Sequence, residues 1–204
     1  MHRIKLLLAT TNQGKAKEIK SFLGELPLEI FTLQDLKLKN TFPERGKTFA
    51  ENARGKSLFY SEHWEGLTLA EDSGLEIAHL NGAPGVISAR FSGPQATDEK
   101  NNQKVLELMK GLPSEQRKAR FVSCMILTQK GKIIKEIKET AEGLIASEKR
   151  GSYGFGYDPI FFYQPFGKTF AELLPEEKTR VSHRGQALKK LKEFLLQYLD
   201  SPRS

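Results

Sequence analysis

The sequence predicts an α/β protein in which short apolar strands alternate with amphipathic helices. Three observations carry this. Ile4 to Ala9 and Leu28 to Leu33 are short apolar runs, separated by a helical pattern with Ile19, Phe22, Leu23 and Leu26 on one face. Arg120 to Thr128 and Lys132 to Thr140 are strand-like runs joined at Lys130-Gly131, the clearest hairpin signal in the chain. Leu188, Leu191, Phe194, Leu195 and Leu199 recur at helical spacing and give a last helix one apolar face.

The 204 residues suit one domain with a sizeable core, residues 1–204. The 38% apolar and 28% charged content is that of an ordinary globular chain. Cys124 is the only cysteine, which excludes an internal disulfide and a cysteine-based zinc site and suits a reducing compartment. His2, His63, His79 and His183 are scattered, with no H-E-x-x-H pair. No apolar run approaches the ~20 residues of a membrane span. Met1 to Lys5 leads directly into the first strand, without the pattern of a signal peptide. A cytoplasmic location is expected. The net charge of +7, from 32 Lys+Arg against 25 Asp+Glu, favours an anionic partner such as a nucleotide, a nucleic acid or an acidic lipid. A merely solvated basic surface gives the same number.

After the first strand come Thr10, Thr11, Asn12, Gln13, Gly14 and Lys15, and Thr11 or Asn12 can cap the helix that follows. Helix amides, two hydroxyls, amide side chains and a lysine make a candidate phosphate cradle. A plain helix cap with a solvated lysine explains the same residues. Phe42 to Lys47 reads as a loop. Thr48-Phe49-Ala50-Glu51 then reads as a capping box opening a helix toward His63, with Phe49, Ala53, Leu58, Phe59 and Tyr60 inward. Lys56 lies on that helix, about one and a half turns beyond Glu51.

Leu67 to Ala70 is another apolar run, followed by Glu71, Asp72, Ser73 and Gly74 and then by a second run, Leu75 to Leu80. Paired acids where a strand gives way to a glycine turn sit at a sheet rim, where ligands commonly bind. Such acids can hold a hard cation or take a proton from water. An acidic turn between two hairpin strands is the plainer alternative. Gly82-Ala83-Pro84-Gly85 is a turn. Thr97 to Lys110 reads as a helix ended by Gly111 and Pro113. Ala141 to Ala146 can continue the second hairpin strand, whose Lys132, Lys135, Glu136 and Lys138 suggest one solvated face.

Gly151 to Pro159 gathers Gly154, Phe155, Gly156, Tyr157 and Asp158 immediately before the apolar run Ile160 to Tyr163. Glycine lets backbone approach a ligand closely, and an aromatic side chain beside it can stack on a base. The same segment also reads as an aromatic-glycine turn packed into the core. Lys178, Ser182, His183 and Arg184 crowd the start of the last helix, where the macrodipole disfavours cations unless an anion or acceptor is near. The Gly-Lys-Ser/Thr tripeptides at Gly46, Gly55 and Gly167 lack the earlier glycine of a P-loop, with Thr41, Ala50 and Phe162 in its place. Gly154-Phe155-Gly156 lacks the third glycine of a dinucleotide fingerprint, because Pro159 stands there.

Taken together, the chain resembles the inosine/xanthosine triphosphate pyrophosphatase family, the XTP/dITP diphosphatases, from Leu7 to Leu191. The motifs occur in the family's order: A-T-T-N-Q-G-K at Ala9, E-R-G-K-T-F-A-E-N-A at Glu44, A-E-D-S-G-L-E-I at Ala70 with G-A-P-G-V-I-S-A-R after it, G-F-G-Y-D-P-I-F at Gly154 and E-K-T-R-V-S-H-R-G at Glu177. The resemblance implies an elongated, curved mixed β-sheet flanked by helices, with the active site in a groove between two lobes. It implies hydrolysis of non-standard purine nucleoside triphosphates (XTP, ITP, dITP) to the monophosphate and pyrophosphate, dependence on Mg²⁺, and a homodimer, with neither membrane nor nucleic acid as partner.

Residue by residue, Thr10 to Lys15 match the triphosphate-binding segment, Glu44 a metal ligand, and Asp72 the proton acceptor, itself also a candidate ligand. Ser73 matches a substrate contact, and Phe155, Gly156, Tyr157, Asp158, Lys178, His183 and Arg184 match nucleoside-binding positions. Lys56 and Glu71 are implied near the phosphates and the metal. Arg184, His183 and the backbone amides of the Phe155–Asp158 loop are expected to face the carbonyl at position 6 of the base. Glu71 stands where many members carry Asp, and Thr179 where Asn is common. Two rival readings are a Maf-like pyrophosphatase for other modified nucleotides and a non-catalytic nucleotide- or RNA-binding protein.

Overall fold

The computed structural model describes residues 3–37 and 42–200. The strands are β1 (Ile4–Leu8), β2 (Leu28–Thr32), β3 (Leu67–Ile77), β4 (Lys118–Gln129), β5 (Lys132–Ile145), β6 (Phe161–Tyr163) and β7 (Lys168–Thr169). The helices are α1 (Gln13–Leu23), α2 (Phe49–Ser61), α3 (Asp98–Leu108), α4 (Pro175–Val181) and α5 (His183–Asp200). The strands form one mixed seven-stranded sheet in the order β2-β1-β3-β4-β5-β6-β7. β1 pairs in parallel with both β2 and β3, whereas β6 is antiparallel to β5 and β7.

The chain divides into two compact units. The first holds Met1–Asp72, Cys124–Lys138 and Ala187–Ser204; the second holds Ser73–Ser123 and Glu139–Gln186. In the first, the strand period of two decides the packing. Leu6 and Leu8 of β1 join a core with Ile19 and Leu23 of α1 and with Leu188, Leu191 and Leu195 of α5. Leu7 and Ala9 join a separate cluster with Tyr60 of α2, Leu33 and Ala70. A strand apolar on both faces is therefore covered on both faces, as parallel strands require. In the second unit, Leu75, Ile77, Phe121, Phe161 and Phe170 share a core with Val105 of α3 and with Met109 at its C-cap.

The predicted hairpin is present, and Lys130 (φ 48°) and Gly131 (φ 71°) supply the two left-handed residues of its turn. β5 runs on through Ala141 to Ile145, with Glu136 and Lys138 exposed and Ile137 buried between them.

One expectation fails in an informative way. Glu71 to Gly74 are not a turn: β3 runs unbroken from Leu67 to Ile77. Its parallel partner β1 ends sooner. Leu8 pairs with Leu69, and the last link between them is Ala9 N–H to the Leu69 carbonyl at 2.8 Å. Asp72 lies three residues, about 10 Å, beyond that point. The acids thus stand past the carboxyl end of β1 because the neighbour stops, while their own strand continues. The order β2-β1-β3 makes this a point where the chain departs to opposite sides, a common ligand position in parallel sheets.

Candidate functional site

Two clusters hold most of the predicted residues, one in each unit. In the first, Asn12 caps α1: its Oδ1 accepts from Lys15 N–H at 3.0 Å, and its own N–H donates to Thr10 Oγ1 at 3.1 Å. The cap positions the first-turn residues Gln13 and Gly14 directly after β1, with Thr11, Asn12 and Gln13 exposed. Gln13 also bonds through its side-chain amide to Gln34 at 3.1 Å.

Thr48 caps α2, accepting from Glu51 N–H at 3.1 Å. The return bond of the expected capping box goes one residue further out, because Glu51 Oε2 accepts from Lys47 N–H at 2.8 Å. The inward face of α2 is more polar than periodicity suggested. Asn52, Lys56 and Ser57 are buried beside Phe49, Ala53 and Tyr60, whereas Leu58 and Phe59 are half-buried.

This polar face meets β3. Asn52 Nδ2 donates to Asp72 Oδ2 at 2.9 Å, while its Oδ1 accepts from Gly46 N–H at 2.8 Å. One amide thereby ties the Glu44–Lys47 loop to the carboxylate. Lys56 Nζ pairs with Glu44 and donates to the Glu71 carbonyl at 3.3 Å. Asp72 is 7% exposed. Burial pushes its carboxyl above the usual range; Lys15, the Asn52 hydrogen bond and Lys56 pull it back, and Glu44 pushes it further up.

Glu71 and Asp72 are successive residues of one strand, so their side chains leave on opposite faces. No group of three or more His, Cys, Asp or Glu side chains that could hold a metal ion occurs among the described residues.

The second cluster is built around Asp158, which is as buried as the apolar core. Its Oδ2 accepts from Phe155 N–H at 2.9 Å and from Lys178 Nζ at 2.6 Å. A side chain at Gly154 (φ 77°) would strike the same carboxylate, so glycine serves there both for its backbone and for its missing Cβ. The Phe155 ring has Lys178 Nζ 5.0 Å and the Arg184 guanidinium 5.3 Å from its centroid. Arg184 also donates to Ser73 Oγ at 3.1 Å.

The cationic segment is two helices rather than one. Lys178 belongs to α4, and Ser182 breaks the chain with ψ 153° and accepts from Gly185 N–H at 3.1 Å. His183 and Arg184 then open α5. The His183 ring stacks on Phe121, centroids 4.6 Å apart and planes 11° from parallel. Thr179 turns its hydroxyl onto its own helix, donating to the Pro175 carbonyl at 2.8 Å.

Tyr157 departs from the stacking role expected of the loop. It is buried in the core, and its hydroxyl donates to the Ser88 carbonyl at 2.7 Å. Burial, with the Asp98 carboxylate as a smaller cause, holds its phenol protonated far above the ordinary range. Phe155 is half-buried, and Tyr153, earlier in the same loop, is exposed. The loop amides are also largely committed: Phe155 N–H to Asp158, Gly156 N–H to Asp98 Oδ2 at 2.7 Å, and Asp158 N–H to the Phe155 carbonyl at 3.3 Å.

Asn52, Asp98 and Asn102 are polar members of these clusters that the sequence reading passed over. Asn52 and Asn102 had one available signal. Asparagine is a poor helix-interior residue, and a buried one within a helix has a hydrogen-bonding task.

Comparison with known proteins is consistent from end to end. The profile of the Ham1 family matches residues 6–194. A dITP/XTP pyrophosphatase of Thermoanaerobacter sp. (strain X514) is 44% identical over 197 residues, 97% of this chain and 99% of that protein. A dITP/XTP pyrophosphatase of Bacillus subtilis (strain 168) is 43% identical over 93% of this chain and 96% of its own length. Among solved structures, a HAM1 protein from Coxiella burnetii superposes with a TM-score of 0.85 at 38% identity, covering 95% of this chain and 99% of the other.

Proposed function

Because the chain belongs to the Ham1 family, we propose that it hydrolyses XTP, ITP and dITP to the nucleoside monophosphate and pyrophosphate. The observation that carries this is Asp72, a desolvated carboxylate beyond the carboxyl end of β1, flanked by Asn52 and by the charges of Lys15, Lys56 and Glu44.

Water attacks the α-phosphorus in line with the departing pyrophosphate, and Asp72 takes its proton. Desolvation makes Asp72 a stronger base than an exposed carboxylate, while Lys15, Asn52 and Lys56 limit the rise. Asn52 fixes which oxygen faces the helix. Lys15, Lys56 and the first-turn amides of Gln13 and Gly14 hold the triphosphate, with the hydroxyls of Thr10 and Thr11 beside them; the α1 N-terminus favours anions.

Glu44 and Asp72 fit a hard cation. Both are oxygen donors, and they lie close enough for the charge of one to act on the proton affinity of the other. Mg²⁺ characteristically takes one or two carboxylates and completes its shell with water and phosphate oxygens. Bound there, it would neutralise phosphate charge. Glu71, on the opposite face of β3, is left out of this set.

In the second unit, Phe155 offers its ring to the base, and Lys178, His183 and Arg184 supply donors for the 6-carbonyl. Three loop amides are engaged already, so side chains carry this recognition. Arg184 cannot accept a hydrogen bond, and the 6-amino group of ATP would meet donor with donor. A cytoplasmic homodimer, implied by the resemblance and suited by the lone buried Cys124, belongs to the same proposal.

Pyrophosphate release from ITP, dITP, XTP and ATP tests the reading. kcat/KM for ITP should exceed that for ATP by ~10⁴-fold, the range of sites built around one hydrogen-bonding pattern. Equal turnover of ATP overturns the base assignment, and no pyrophosphate from any of them overturns the reaction. Excess chelator should abolish activity, and Mg²⁺ should restore it.

A further inference from the structure

We propose that Asp98 and Asn102, on the first turns of α3, are positioning residues for base selection, acting by gripping Gly156 at both its N–H and its carbonyl. This rests on the reading of the second cluster as the base site. Asp98 Oδ2 accepts from Gly156 N–H at 2.7 Å, and Asn102 Nδ2 donates to the Gly156 carbonyl at 2.8 Å. The orientation of the Asn102 amide is fixed by its partners. Nδ2 also donates to the Asp98 carbonyl at 2.7 Å, and both partners are carbonyls that can only accept.

Asn102 is 2% exposed, and its Oδ1 has no hydrogen-bond partner among the described residues. A buried acceptor left unpaired is costly, so the residue is kept for its two donors rather than for general polarity. The preceding residue of α3, Asn101, holds the segment on which the Tyr157 hydroxyl ends. Its Nδ2 donates to the carbonyls of Ser88 at 3.3 Å and Ala89 at 3.2 Å, and Ser88 O is also where the Tyr157 hydroxyl ends.

The consequence falls on Phe155. Gly154 and Gly156 both lie in the left-handed region, where glycine has unusual freedom to leave the observed conformation. The Phe155 ring stays between Lys178 and Arg184 only if the flanking peptides are held. Asp158 holds the one before it, through Phe155 N–H; Asp98 holds the one after, through Gly156 N–H, and Asn102 the next, through the Gly156 carbonyl. The grip thus acts on the orientation of the base-facing ring and its two cations.

The test is steady-state kinetics with ITP and ATP on the full chain. Asp98 is exposed, so Asp98→Ala removes one acceptor without disturbing the core. It should raise KM for ITP about tenfold and lower the ITP/ATP ratio of kcat/KM, with kcat changed by no more than about twofold; a lost charge-assisted hydrogen bond has that size. Asp98→Asn keeps an oxygen acceptor and should restore KM to within about threefold of wild type. Asn102→Asp keeps the shape, loses both donors and should act in the same direction. Asp98→Ala decides the matter alone if Asn102→Asp does not fold. A wild-type ratio near one would sink the base-site reading itself. A high wild-type ratio that Asp98→Ala leaves unchanged overturns the grip and spares the base site. A kcat loss without a KM change also overturns it.

Discussion

Each unit contains an acid–lysine pair, and the two pairs are built for different ends. Lys178 and Asp158, with side chains 7% and 3% exposed, meet at 2.6 Å and share the carboxylate with a backbone amide. Lys56 and Glu44 are 10% and 31% exposed, and Glu44 sits on a loop tied down through Asn52. Beside this second pair lies Asp72, desolvated, with a neutral amide on its Oδ2. A carboxylate gripped by a buried cation and an amide fixes geometry. A carboxylate desolvated beside a neutral donor holds its proton more tightly than an exposed one. The contrast teaches that burial alone does not mark a reactive acid; the identity of its hydrogen-bond partner does.

The contrast can be broken most sharply at Asp72. Asp72→Asn should keep the fold, since Asn can still accept from Asn52, and lose ~10²–10⁴-fold in kcat. Turnover within about threefold of wild type would remove Asp72 from proton transfer. The same exchange at the other acid should act on stability. Asp158→Asn leaves the Lys178 ammonium buried without its counter-charge and should cost roughly 3–5 kcal/mol in urea unfolding. A loss under about 1 kcal/mol would show that the pair is not the anchor described here.

The smallest effect concerns sign. The folded Asp72 binds its proton more tightly than an unfolded aspartate, whose pKa is about 3.9. Between those two values the native state holds more protons than the unfolded one. Asp72 therefore supports the fold in acid, and that support is lost as pH rises through its folded value. In chelator-treated protein, Asp72→Asn should melt above wild type at pH 7, with the advantage shrinking as pH falls toward 4. An advantage that grows toward acid would show that the Asp72 carboxyl is lowered rather than raised.

Much of the architecture was legible because both faces of β1 are apolar and because Lys130-Gly131 has few alternatives to a tight turn. The break between α4 and α5 was not, since Ser182 within a cationic run carries no strong stop signal. The unbroken course of β3 was also hidden. Gly74 suggested a turn, and only the pairing of Leu8 with Leu69 reveals which strand actually ends. At the site, the charged residues stood out from their types and order. Asn52, Asp98 and Asn102 did not, because their task is set by partners about 20 to 58 positions away, a relation that local spacing does not encode. For Tyr157, which follows Gly156, the packed-core alternative is the one its burial matches.

The long strand β3 carries one last implication, for how this gene can drift. Side-chain direction in a strand has a period of two, and Leu69 is locked against β1 while Asp72 is the working acid three positions on. Inserting or deleting a single codon between them would rotate Asp72 to the far side of the sheet and bring a neighbour round in its place. Point changes at Ala70 leave that parity intact. Length variation among descendants of this chain should therefore collect in the loops, and the interval from Leu69 to Asp72 should stay constant in residue count even where its letters change.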